Sequence, residues 1–117
     1  MEFTFSTEEN KDYCVIRFKG NLIEKNQAFE LLETLDDIMA RNISRFIIEM
    51  SEFGYMNSTG LNVLINILTK ARKAGGEVVI ASVPDNIRSL MLITKLNSIF
   101  TIVDNEQEAQ KILLKEA

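Results

Sequence analysis

Phe46-Ile-Ile-Glu-Met-Ser-Glu-Phe-Gly-Tyr-Met-Asn-Ser-Thr-Gly-Leu-Asn-Val-Leu64 passes from a buried strand into a helix with one dry face. Phe46 to Met50 is apolar except for Glu49, the pattern of a strand covered on both sides. On a helical wheel centred on Leu64, Gly60, Leu61, Ile67, Leu68 and Ala71 fall on its side, while Asn62, Asn66, Thr69 and Lys73 lie opposite. The intervening Asn57, Ser58 and Thr59 sit where the helix N-cap must be. Such side chains are favoured there because they accept hydrogen bonds from backbone N–H groups that have no partner within the helix. Capping accounts for one of the three and leaves the others unexplained. A helix N-terminus also favours an anion, so a hydroxyl presented there is equally a place to put a phosphate.

Outward from this junction the chain alternates. Lys70, Arg72 and Lys73 suit the negative end of the helix dipole, and Gly75-Gly76 stops the helix. Glu77 to Ser82 is another buried strand. Pro84-Asp85 opens a helix over about Asp85 to Leu96, with proline in a first turn where its missing N–H costs nothing. Ile87, Leu90, Met91, Ile93 and Thr94 form its stripe toward the sheet, and Leu92 falls on the opposite side between Arg88 and Lys95, an exposed leucine open to a partner contact. Ile99 to Val103 is a short strand, and Asn105 to Ala117, with Ala109, Ile112 and Leu113 at helical spacing, is a final helix.

Upstream, Phe3-Thr-Phe5 reads as an alternating strand, and a polar turn at Glu8 to Lys11 leads into a strand at Tyr13 to Lys19. In that second strand Cys14, Ile16 and Phe18 share one face and Arg17 and Lys19 the other; Gly20 ends it. Ala28, Leu31, Leu32, Leu35, Ile38 and Met39 recur at three and four residues, giving a helix over roughly Lys25 to Arg41 with Asn26 as its N-cap. The order is β-β-α-β-α-β-α-β-α. It predicts an α/β domain with right-handed crossovers, a mainly parallel five-stranded sheet, an antiparallel N-terminal edge strand and four helices. The loop after Met50 then lies at the carboxyl end of a parallel strand, where open α/β sheets place functional loops.

Composition sets bounds on chemistry. The 117 residues, 46% hydrophobic, suit one globular domain over 1–117. No run reaches transmembrane length, and Met-Glu-Phe-Thr-Phe-Ser lacks the basic start and apolar core of a signal peptide, so the expected location is the cytoplasm, without membrane insertion. A formal charge of −4 argues against nucleic-acid binding. With no histidine, the Ser-His-Asp and Cys-His nucleophile systems and imidazole metal sites are excluded. Gly75-Gly76 lacks the remaining glycines and the lysine of a phosphate-binding loop. The adjacent carboxylates Glu8-Glu9 and Asp36-Asp37, and Glu106 with Glu108, read as solvated charge. Cys14, the single cysteine, reads as a buried inert thiol. No cofactor, metal or catalytic residue is expected, and in the absence of a large apolar stripe the expected state is a monomer.

Longer stretches then carry a resemblance. Glu49-Met50-Ser51 followed by Asn57-Ser58-Thr59-Gly60-Leu61 resembles a pattern of roughly Asp-Leu-Ser, a short hydrophobic spacer, and Asp-Ser-Ser/Thr-Gly-Leu. Together with Lys70 to Ile80, Val83-Pro-Asp-Asn-Ile-Arg88 and Leu96-Asn-Ser-Ile-Phe-Thr101, it makes the whole chain similar to the STAS domain, the anti-sigma factor antagonist family. The resemblance implies a partner that is both an anti-sigma factor and a serine/threonine kinase. The hydroxyl residue before the motif glycine is the phosphate acceptor in regulatory members, which places it at Thr59 with Ser58 as second choice. The contact surface it implies comprises Tyr55, Met56, Asn57, Ser58, Thr59, Gly60, Leu61, Asn62 and Glu24. Asn57 stands where the motif has aspartate. Ile23 stands where the loop after the second strand is usually acidic, with Glu24 next to it. A second reading is an unswitched STAS scaffold or binding subunit of a signalling or transport complex. An enzyme using the helix N-terminus as a phosphate cradle is disfavoured, since that loop has neither lysine nor metal ligands.

Overall fold

The structure is a computed structural model and describes residues 2–115. Within that range strand β1 (Thr4–Glu9) and strand β2 (Cys14–Leu22) form a hairpin. A 3-10 turn (Lys25–Ala28) runs into helix α1 (Phe29–Ala40), followed by β3 (Arg45–Met56), α2 (Ser58–Lys73), β4 (Glu77–Ala81), α3 (Asp85–Ile93), a second 3-10 turn (Leu96–Ser98), β5 (Thr101–Val103) and α4 (Glu106–Lys115). The expected final helix reached Ala117; its last two residues lie outside the described range.

The strands lie side by side in the order β1-β2-β3-β4-β5, with β1 antiparallel to β2 and the others parallel. Because each crossover steps one strand in the same direction, crossovers of one hand must leave α1, α2 and α3 on the same face of the sheet. They do. Leu31, Leu35 and Ile38 of α1, Leu64, Ile67 and Leu68 of α2, and Ile87 and Met91 of α3 share a core with Cys14, Ile16 and Phe18 of β2 and Phe46, Ile48 and Met50 of β3. The opposite face is covered by α4, whose Ala109 and Leu113 pack with Val15, Ile47, Val79 and Ala81. Full burial of each such aliphatic chain is worth about 1.5–3 kcal/mol, so the middle strands, dry on both sides, anchor everything attached to them.

Several boundaries differ from the expectation for identifiable reasons. Phe3–Phe5 and the turn at Glu8 shift, because β1 continues to Glu9 opposite Cys14 and the chain reverses through an Asn10 N–H bond to the Tyr13 carbonyl of 2.8 Å. β2 does not stop at Gly20. The glycine adopts a left-handed φ of 80°, the register slips there, and pairing resumes to Leu22. β3 likewise runs past Met50, since Lys19, Gly20, Asn21 and Leu22 keep it paired through Glu52, Phe53, Tyr55 and Met56. The first turn of the Lys25 helix is 3-10, capped by Glu24 and not by Asn26, and Gln27 reaches back so that its Oε1 accepts from the Glu24 N–H at 2.9 Å.

Helix α3 ends at Ile93, short of the expected Leu96, as Lys95 turns left-handed with φ 62°. Ile93 was expected in the buried stripe and is 79% exposed. At 3.6 residues per turn it lies about 120° around the helix from Ile87, outside the stripe that Ile87 and Met91 define. Leu92 is exposed as expected. The end of α2 is a Schellman motif: the Gly75 N–H bonds the Arg72 carbonyl at 3.0 Å and the Gly76 N–H the Ala71 carbonyl at 2.8 Å, with Gly75 at φ 85°. Gly76 is required for space. A Cβ there would lie 1.8 Å from the Ser44 carbonyl oxygen.

Candidate functional site

The strand-to-helix junction proves to be a single residue. β3 ends at Met56 and α2 begins at Ser58, so Asn57 alone makes the turn, with φ −106° and ψ −163°. Its extended backbone aims the side chain back over the first turn, where Oδ1 accepts from the Thr59 N–H at 3.0 Å and the Gly60 N–H at 3.3 Å. The Asn57 carbonyl accepts the first helical bond, from the Leu61 N–H at 3.0 Å. The alternative left open by the sequence is thereby resolved as to capping. Asn57 caps, and the hydroxyls of Ser58 and Thr59 have no hydrogen-bond partner among the described residues. Ser58 is exposed and Thr59 half-buried.

The rest of Asn57 reaches sideways. Its Nδ2 donates to the Ile23 carbonyl at 3.1 Å, and the Ile23 N–H donates to Gln27 Oε1 at 2.9 Å. The loop between β2 and α1, carrying exposed Ile23 and Glu24, is thus held against the start of α2. Next to Thr59 a groove of about 310 Å³ runs between α1 and α2, lined by Phe29, Leu32 and Val63 with Lys25, Asn62 and Asn66 at its rim. Phe29, beside Thr59 in this groove, is 57% exposed, and Ile23 and Tyr55, in the segments that flank Asn57 in space and in sequence, are 42% and 50% exposed. Isolated surface apolar residues are ordinary, but an apolar groove with a polar rim resembles a binding surface.

The residues singled out from the sequence divide accordingly. Tyr55, Ser58, Asn62 and Glu24 are exposed, and Asn57 and Thr59 are partly so. Met56 is fully buried and Gly60 and Leu61 are buried too, so these three support the surface from beneath and do not form it. The reason is strand register: Met56 pairs with Leu22 and points into the core with it. Tyr55 and Met56, expected in a loop, are strand residues. Lys25 and Phe29 were not singled out, and Ile23 was noted only as standing where the motif loop is usually acidic. Phe29 could have been found, since it lies off the Ala28-Leu31-Leu35 stripe and is an aromatic residue with no place in the core.

Charge near the junction is modest. Glu49 accepts from the Ser51 N–H at 3.0 Å and its Oγ at 2.8 Å, and Glu52 pairs with Lys19 at 3.0 Å, so neither faces Thr59 as a free anion. Glu24 and Lys25 provide one charge of each sign. Among the described residues no group of three or more Asp, Glu or Cys side chains is placed to hold a metal, and no helix is long and apolar enough to cross a membrane.

Known proteins share this fold. The anti-sigma F factor antagonist of Paenibacillus polymyxa is 22% identical over 109 residues, covering 93% of each chain. A Thermotoga maritima protein of known structure superimposes with a TM-score of 0.84 at 20% identity, again over 93% of each chain. The anti-sigma factor antagonist SpoIIAA in its unphosphorylated form gives a TM-score of 0.74 at 13% identity over 97% of this chain and 100% of that one. The family model of the STAS domain matches residues 4–109. This chain therefore belongs to the STAS domain family.

Proposed function

We propose that the protein is an anti-sigma factor antagonist that binds an anti-sigma factor through the start of α2 and the adjoining β2–α1 loop. Thr59 is its phosphate acceptor, modified by that same partner acting as a serine/threonine kinase, with Ser58 as the second choice. The observation that carries the reading is the division of labour at the helix start: Asn57 does the capping, so the Thr59 hydroxyl is unengaged, beside the dipole end that favours an anion and at the groove lined by Phe29, Leu32 and Val63. Phosphate would add about −1.5 to −2 charges there. The dipole offsets this by about 0.3–1 kcal/mol in the free protein, whereas burying the same charge against a partner costs several kcal/mol unless the partner supplies matching cations. Phosphorylation thus leaves the fold and removes the complex.

The test begins with immobilised protein and an extract of the native cell. The recovered anti-sigma factor, incubated with ATP and this protein, should add the mass of one phosphate to wild type and none to Thr59→Ala. Thr59→Asp should lose binding. Binding indifferent to both changes would sink the switch and leave the unswitched scaffold.

A further inference from the structure

We infer that Asn57 is a positioning residue whose amide latches the β2–α1 loop to the start of α2, a task that the aspartate of the STAS motif could not perform at this position. Its two ends do different work. Oδ1 caps through the N–H groups of Thr59 and Gly60, which a carboxylate would do at least as well. Nδ2 donates to the Ile23 carbonyl at 3.1 Å, and a carboxylate has no proton to give. Replacing the N–H by an oxygen would set two acceptors against each other at that distance. The loop would be pushed away.

The latch is one half of a grip on a single residue. Gln27 Oε1 accepts from the N–H groups of Ile23 and Glu24, both at 2.9 Å, so amides from two different helical segments hold Ile23 at its nitrogen and its carbonyl. What the grip fixes is the position of exposed Ile23 and Glu24 relative to Thr59. Preorganisation of that kind spares a partner the cost of ordering the loop. Asn57 thereby exchanges the charge of the motif aspartate for rigidity, and Asn57→Asp, which restores the motif, should loosen the surface.

The functional weight of the latch rests on the antagonist reading, but the latch itself is measurable without any partner. In the isolated protein, Asn57→Asp should speed amide hydrogen exchange at Ile23 and Glu24 roughly tenfold and shift the Ile23 carbonyl ¹³C resonance, while the Thr59 and Gly60 amides keep their protection. Gln27→Ala, which frees both loop amides, sets the scale of a released loop. Asn57→Ser, one bond shorter and still a capping residue, should release Ile23 in the same way should the aspartate disturb folding. Unchanged exchange and an unchanged Ile23 carbonyl in both Asn57 variants would overturn the inference and reduce Asn57 to a cap. That result would leave phosphorylation of Thr59 untouched, just as loss of phosphorylation would leave the latch.

Discussion

Replacing Gly60 by alanine sets two effects of opposite sign against each other. Helix propensity favours the change by up to about 1 kcal/mol, since alanine orders at lower entropic cost. The surroundings oppose it. A Cβ on Gly60 would lie 2.6 Å from Met56 Cβ and 2.8 Å from the Leu22 carbonyl oxygen, against an ordinary contact distance that starts at 3.4 Å. Neither neighbour can yield: Leu22 and Met56 are fully buried and paired to each other across β2 and β3. The helix must lift instead, by several tenths of an ångström at its first turn. Overpacking of this kind costs about 1–3 kcal/mol, and the propensity gain is reduced so near a helix end, so a net loss of about 1–2 kcal/mol is expected. With a urea m-value of about 1–3 kcal/mol/M, the midpoint should fall by roughly 0.3–2 M at unchanged m. A midpoint equal to or above that of wild type would refute the close approach of α2 to β2 and, with it, the geometry that presents Thr59.

Two further outcomes follow from the burial pattern. Burial pushes the Cys14 thiol up to about 11 from an ordinary 9.0, so the folded state holds its proton where the unfolded chain loses it. Stability is then fully present below pH 9 and declines as pH rises toward 11, by up to about 2 kcal/mol. Urea midpoints at pH 8 and pH 10.5 should show this decline in wild type and a smaller one in Cys14→Ala; equal declines would refute the assignment. Phe29→Ala and Tyr55→Ala remove exposed rings, so each should stay within about 0.5 kcal/mol of wild-type stability while weakening anti-sigma factor binding about tenfold or more. Titration of both variants against that partner checks this, and unaffected affinity would move the contact surface elsewhere.

The fold was legible because its signals are redundant. Runs such as Phe46–Met50 and Glu77–Ala81 permit few alternatives to buried parallel strands, and the wheel around Leu64 identifies the dry face of α2 without any knowledge of its partner. What resisted was set by pairing and not by composition. Nothing in Ser51-Glu-Phe-Gly-Tyr-Met56 marks a strand; it is one because β2 continues beside it past Gly20. The same register turns Met56 inward and Tyr55 outward, whereas Phe53, which alternation counted from Met50 would send outward, is buried in the same core. Ile93 failed for a related reason, having been assigned to a face by hydrophobicity when its angle excludes it. At the site, three polar residues at a helix start announced a cap without saying which of them caps. Only the extended backbone of Asn57 decides that, and its second bond, to a residue 34 positions earlier, has no local signature.

The identity of the capping residue bears on what kind of switch the site can be. Had Thr59 been the cap, phosphorylation would have removed the acceptor that satisfies the first N–H groups of α2, at a cost of about 0.5–2 kcal/mol, and modification would have frayed the helix it marks. With Asn57 in that place, the Thr59 hydroxyl holds nothing up. A phosphate added to it meets the favourable end of the dipole, while the Asn57 bonds that cap the helix need not break to admit it. The proposed modification therefore changes the charge of the surface and not its shape. That arrangement suits a protein whose two states differ only in which partner tolerates them, and it explains why a spare hydroxyl beside a committed amide is worth more to such a site than a second cap.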